Sequence, residues 1–207
     1  MSNESTVYLI DDDSSVRKML ETSLTLHGFA VQSFSSAEEF LDADCRNIAG
    51  CLLLDFKMPG MNGLQLQKML TDQGLNTPII FITGHADVPK SVEALKAGAF
   101  DFLEKPFSQE ALVQIIEQAF KKDQAIRENI ELQQQYRNRF EKLTEREFEI
   151  MQMLIEGAAN HSSKTIAEKL SISPRTIEHH RMRILEKTEA HSVAELVKFA
   201  SIAGFHW

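Results

Sequence analysis

The sequence predicts an α/β protein: a doubly wound parallel sheet over residues 1–120, a long helical linker at 121–142 and a small all-α unit at 143–207. Two observations point to the sheet. Short runs that are apolar throughout (Val7–Ile10, Leu52–Leu54, Ile79–Ile82, Phe102–Leu103) alternate with segments of helical periodicity. Strands of a parallel sheet are buried on both faces and so read as continuous rather than alternating hydrophobic runs. A third observation points to the tail: 121–143 has no Gly or Pro and is rich in helix formers, and amphipathic helices broken by turn residues follow it.

Taken in order, each apolar run ends in a polar group. Asp11, Asp12 and Asp13 follow the first, Asp55 the second, Thr83 the third and Lys105-Pro106 the last. Ligands of an open parallel sheet sit beyond the carboxyl ends of its strands, so these groups are expected to converge. Clustered carboxylates raise one another's pKa, and a pocket holding three of them calls for a cation. A hard divalent ion such as Mg2+, which takes a few carboxylates plus waters and a phosphoryl group, suits that donor set. Asp13 has two readings, a contributor to this site or the cap of a helix beginning near Ser14. After Asp55, Pro59-Gly60 and Asn62-Gly63 mark a loop.

The stretches VYLIDDD (7–13), LLLDFKMPGMNG (52–63), FITGHADV (81–88), ALKAGAFDF (94–102) and LEKPF (103–107) resemble the receiver domain of two-component response regulators. Their order and spacing fit a fivefold strand–helix repeat, so the resemblance implies a five-stranded, flavodoxin-like receiver. It implies Asp55 as phosphoacceptor, Asp11 and Asp12 as Mg2+ ligands together with Asp55 and the Lys57 carbonyl, and Thr83 and Lys105 on the phosphoryl oxygens. It also implies a cis bond between Lys105 and Pro106, and a sensor histidine kinase as donor. In the family's pattern Thr83 moves toward the new phosphoryl group, Phe102 turns into the space left, and the surface 88–107 changes so as to favour a homodimer. The residue types make chemical sense: phosphoryl transfer to a weak carboxylate nucleophile runs on positioning and charge neutralisation, which a divalent ion and a lysine supply.

The chain carries a net charge of −8, unevenly spread. Residues 1–107 hold fifteen acids against eight bases, 108–142 six of each, and 143–207 nine acids against eight bases. A uniform −8 would argue against nucleic acid, but Ser173–Lys187 holds four bases and two acids besides His179 and His180, so a local basic stripe survives the global sign. Cys45 and Cys51 lack metal-ligand spacing, and Cys51 opens an apolar strand, which suits a reducing compartment. No stretch approaches the ~20 apolar residues of a membrane span and the first residues carry no secretory signal pattern, so a cytoplasmic protein without a membrane partner is expected.

The linker extends a helix that starts near Ser108. Leu132, Tyr136, Phe140 and Leu143 form a stripe on it that would pack against a partner helix or against the chain's own terminal unit. That unit begins with a capping box, Thr144 and Glu147, ahead of Phe148, Ile150, Met151, Leu154 and Ile155, and Gly157 ends the helix. Further helices are expected at Lys164–Leu170, Pro174–Lys187 and Ser192–Ala203. Ser171-Ile172-Ser173 makes a helix-turn-helix joint, with Pro174 in the first turn where its missing N–H is tolerated. The stretch KTIAEKLSISPRTIEHHRMRILEKT (164–188) resembles the FixJ/NarL family, the LuxR-type helix-turn-helix effector domains.

That resemblance implies binding to double-stranded promoter DNA through Pro174–Lys187, dimerisation through Ser192–Ala203, and a possible RNA polymerase contact. Glu178, His179 and Met182 are expected at base edges; Arg175, Thr176, His180, Arg181, Arg183 and Lys187 are expected at phosphates; Ile177, Ile184 and Leu185 are expected in the core. Two departures stand out. The connection Ala158–Thr165 is about three residues longer than the family's, and Glu178 and Met182 occupy positions that are often basic. His161, His179, His180 and His191 do not read as a metal site, because adjacent residues on a helix point ~100° apart.

The reading is therefore a phosphorylation-controlled transcription regulator that is not an enzyme. One alternative is a phospho-switched protein-interaction module that does not act through DNA, distinguishable by salt-sensitive duplex binding. Another, an aspartate-nucleophile phosphatase, would place D-x-D after its first strand, where this chain has three adjacent aspartates.

Overall fold

The computed structural model describes residues 5–43, 48–84, 93–156 and 163–205. The chain divides into two compact units, Met1–Arg127 and Glu128–Trp207.

In the first unit five strands, β1 (Thr6–Ile10), β2 (Ala30–Phe34), β3 (Gly50–Asp55), β4 (Ile79–Thr83) and β5 (Asp101–Glu104), form one sheet in the order β2-β1-β3-β4-β5. Every neighbouring pair is parallel. The four runs named from the sequence are β1, β3, β4 and β5. The edge strand β2, half exposed and alternating, lacked that signature. Successive side chains point to opposite faces, so Val7, Leu9, Cys51, Leu53, Ile80 and Ile82 build one core with Leu20 and Leu24 of α1 (Ser14–Leu26). Tyr8, Ile10, Leu52, Leu54 and Phe81 build the other with α2 (Ala37–Asp42), α3 (Gly63–Asp72) and the helical residues described at 93–96, α4. Helices on both faces make the sheet doubly wound, as expected.

Helix α5 (Gln109–Phe140) runs through the expected linker, and the division between the units falls inside it. Its first turns complete the first core through Leu112, Ile115, Ile116 and Ala119. Asp123 anchors the next turn: its buried Oδ2 accepts from the Gly50 amide at 2.9 Å, where β3 begins, and from Arg127 Nε at 2.7 Å. Gly50 has φ +130°, and a Cβ there would meet the Thr6 carbonyl at 2.0 Å, so this tight start of β3 demands glycine.

The second unit comprises the end of α5 with α6 (Glu145–Glu156), α7 (Ser163–Leu170), α8 (Pro174–Thr188) and α9 (Val193–Ile202). Phe140, Ile150, Met151, Leu154, Ile166, Ile177, Ile184, Leu196 and Phe199 form its core. Tyr136, Phe140 and Leu143 of the linker stripe pack there, Tyr136 stacking on Phe199 with ring centroids 4.5 Å apart, whereas Leu132 stays exposed. Of the stripe's two readings, these three residues take the chain's own unit. The turn between α7 and α8 passes through Ser171 at φ +54°, and Ser173 caps α8 by accepting from the Thr176 amide at 3.1 Å. The start of the Ala158–Thr165 connection, with Gly157 and His161, lies outside the described residues, as do Cys45 and residues 88–92 of the expected switch surface.

Candidate functional site

The carboxyl ends of β1, β3 and β5 bring three of the expected residues together. Lys105 Nζ lies 2.9 Å from Asp55 Oδ1 and 3.4 Å from Asp11 Oδ2. Asp11 is 1% exposed, its Oδ1 accepts from the Asp13 amide at 2.9 Å, and its carbonyl accepts from Arg17 Nη1 at 2.6 Å. Asp55 Oδ2 accepts from the Lys57 amide at 2.9 Å. Asp13 caps α1, its Oδ1 accepting from Ser15 and Val16 amides at 2.8 and 3.2 Å. This assigns the third aspartate to the helix; Asp12 is exposed at the rim. The Lys105–Pro106 bond is cis.

Thr83 is fully buried, and its hydroxyl donates to the Gly84 carbonyl at 3.2 Å. Phe102 is partly buried against the core that holds Phe81. Two residues outside the sequence reading support the site. Arg17 ties α1 to the loop after β1, and Glu38 Oε1 accepts from the Met61 amide at 3.0 Å, holding the loop after β3. Neither sits in an apolar run or a motif stretch, so the sequence offered no signal for them.

Burial raises the Asp11 pKa above its ordinary value of 3.8, and the Asp55 charge adds to this; the Lys105 charge and the Asp13 amide offset only part. Burial works against the Lys105 ammonium, but the hydrogen bond to Asp55 and the charges of Asp55 and Asp11 outweigh it and raise its pKa. The ammonium thus stands where the carboxylates need a positive charge. Among the described residues no three His, Cys, Asp or Glu side chains are gathered tightly enough to hold an ion by themselves. An all-oxygen pair, Asp11 and Asp55, with Asp12 at the rim fits Mg2+ all the same, since that ion keeps several waters and takes one or two carboxylates.

In the second unit α8 presents a different surface. Ile177 and Ile184 are fully buried as expected, and Leu185 packs against the same core. Arg175, Thr176, Glu178, His179, Met182 and Arg183 are exposed. Two expected contacts are otherwise engaged, and a third is partly withdrawn from solvent. Lys187 Nζ is bound to Glu147 Oε2 at 2.6 Å, an ion pair whose carboxylate side chain is 3% exposed. The Glu178 carboxylate accepts from the Ser163 hydroxyl at the start of α7 and lies 3.9 Å from Arg181 Nη1. His180 is half-buried, and among the described residues its enclosed Nδ1 has no hydrogen-bond partner. Sequence spacing placed Lys187 and Glu178 on the helix but carried no information about their partners from α6 and α7.

Residues 7–117 match the family described as response regulator receiver domain, and residues 141–200 match the bacterial regulatory proteins of the luxR family. The chain is 43% identical over 202 residues to the transcriptional regulatory protein FixJ of Rhizobium meliloti, covering 97% of each. It is 39% identical to the response regulator protein TodT of Pseudomonas putida, covering 94% of this chain and 84% of that one. Among solved structures it is similar to the response regulator StyR, with a TM-score of 0.82 and 41% identity over 96% of this chain and 98% of that one. Full-length FixJ from B. japonicum gives a TM-score of 0.60 at 40% identity, covering 98% of each.

Proposed function

The chain belongs to the two-component response regulators that couple a receiver domain to a LuxR-type regulatory domain, and from that premise we propose that Asp55 accepts a phosphoryl group from a sensor histidine kinase. The phosphorylated chain then pairs with a second copy and regulates transcription by binding promoter DNA through α8. The observation that carries this reading is the Asp55 carboxylate, open to solvent on one side, held against the Lys105 ammonium beside a buried Asp11.

In the transfer an Asp55 oxygen forms the new bond to phosphorus as the bond to the donor's imidazole nitrogen breaks, and the nitrogen takes up a proton. Lys105 already faces the attacking carboxylate and follows the negative charge onto the phosphoryl oxygens. Asp11, Asp12 and Asp55, with the Lys57 carbonyl, would hold Mg2+, whose chemistry there is neutralisation of the phosphoryl charge. Among the described residues the Thr83 hydroxyl donates to a neighbouring carbonyl, a bond it can give up in turning to a phosphoryl oxygen, and Phe102 moves with it. Each chain takes one phosphoryl group, which makes this a stoichiometric switch rather than an enzyme, working in the cytoplasm where the kinase and promoter are. Among the described residues no helix is long and apolar enough to cross a membrane. A bound dimer would also be placed to touch RNA polymerase.

Intact-mass spectrometry after incubation with acetyl phosphate and Mg2+, followed by duplex-binding assays at several salt concentrations, tests both halves. One added phosphoryl group and salt-sensitive DNA binding are expected. Phosphorylation without any duplex binding would leave a switch that acts on protein alone.

A further inference from the structure

Helix α8 has a buried side, made by Ile177, Ile184 and Thr188. At ~100° per residue the opposite side carries Arg175, His179, Met182 and Glu186, all exposed. Met182 is 69% exposed, and among the described residues of α6 to α9 it is the one large apolar side chain left so open. It sits between carboxylates one turn away on each side. Glu178 is turned toward Ser163 and Arg181, and Glu186 is exposed. A phosphate would be repelled by those two charges, so this spot does not fit against the DNA backbone.

From this placement we infer that Met182 reads the C5-methyl group of a thymine in the major groove. The inference rests on the DNA-binding role of α8. Among the base edges that the groove displays, the thymine methyl is the apolar feature, and every other group there is a hydrogen-bond donor or acceptor. An unbranched thioether with three rotatable bonds can lie against that methyl without demanding one orientation. Arg175 and His179 on the same stripe are donors for neighbouring base edges, whereas Glu178, held by Ser163, is a positioning residue that keeps the start of α7 and the middle of α8 together.

The test begins with selection of a preferred site from a random duplex pool by the phosphorylated full chain. Each thymine of the enriched half-site is then replaced in turn by deoxyuridine, which differs only in lacking the methyl. The wild type should lose roughly fourfold in affinity at one position, the factor that ~0.8 kcal/mol per buried methyl gives. Met182→Ala should bind thymine and uracil duplexes equally, and Met182→Leu should restore part of the difference. Because the side chain is exposed, neither substitution threatens the fold. An enriched motif with no uracil-sensitive position, or full thymine preference retained in Met182→Ala, overturns the inference while leaving DNA binding in place. Failure to enrich any site and to bind any duplex overturns both together.

Discussion

The Lys105 ammonium bridges two acids from different strands, 2.9 Å from Asp55 Oδ1 at the end of β3 and 3.4 Å from Asp11 Oδ2 just past β1. Position 105 lies ninety-four residues from Asp11 in the chain, yet it offsets the repulsion between the Asp11 and Asp55 carboxylates.

Removing that cation should lower stability at neutral pH, and acid or Mg2+ should offset the loss. Lys105→Met leaves Asp11 and Asp55 facing each other, and because Lys105 is about a third exposed the loss should be only about 1 kcal/mol. The sign follows from Asp11, whose folded pKa already lies above 3.8. A raised carboxyl pKa stabilises the fold in acid, and that stability is lost as pH rises through the folded value. The variant should therefore approach the wild type on acidification through that pKa. Mg2+ at ~100 times its Kd should add about 2.7 kcal/mol if it occupies the site. Urea unfolding of both proteins, with and without Mg2+ across pH, measures this; a gap that widens in acid would refute it.

Asp55→Asn should abolish labelling by acetyl phosphate while changing stability by less than ~1 kcal/mol. Two effects oppose one another: Lys105 loses its nearer partner, and Asp11 is relieved of a like charge. Intact mass reads the first outcome and a thermal melt the second. Full phosphorylation of the Asn variant would remove Asp55 from the role proposed for it.

The parts of the fold legible in the sequence were those written in a local code. Buried parallel strands are continuously apolar, which located β1, β3, β4 and β5, and cap chemistry located the starts of α6 and α8 within a residue. The convergence of Asp11, Asp55 and Lys105 was legible because sheet topology sends every strand's end to one rim. What stayed hidden were pairings between elements. Nothing about Asp123 in a run of polar helix residues announces that it caps the amide of Gly50, seventy-three positions away. Likewise Lys187 reads as a solvated base on a DNA-facing helix until α6 is packed beside it and Glu147 claims its charge.

That ion pair yields a pH-dependent expectation. Burial pushes the Glu147 pKa up, but hydrogen bonds from Lys187 and Thr144 overcome this and bring it down from 4.5 to about 2. A depressed carboxyl pKa contributes stability that is present above pH 4.5 and lost as pH falls toward 2. Lys187→Met should destabilise the second unit by about 2 kcal/mol at neutral pH and flatten its stability over that acid range, as followed by circular dichroism during urea unfolding of variant and wild type. Its duplex binding should keep the wild-type salt slope, because the ammonium is already committed. A slope reduced by about 1 would return Lys187 to the phosphate contacts.

Arg181 and Glu178 lie one turn apart on α8 and should separate general affinity from sequence reading. Arg181→Ala removes a partly exposed cation from the flank of α8, so specific and random duplexes should weaken together and the salt slope should fall by about 1. Glu178→Ala removes an anion instead, and affinity for random DNA should hold or rise. Since the Glu178 carboxylate is taken up by Ser163 and lies near Arg181, its loss frees Arg181 from a competing charge without deleting a base contact. The motif selected by Glu178→Ala should then match that of the wild type. If preference at a single base pair fell instead by roughly 1–3 kcal/mol, the discrimination of one good side-chain contact, Glu178 would leave Ser163 on binding and accept from a cytosine amine.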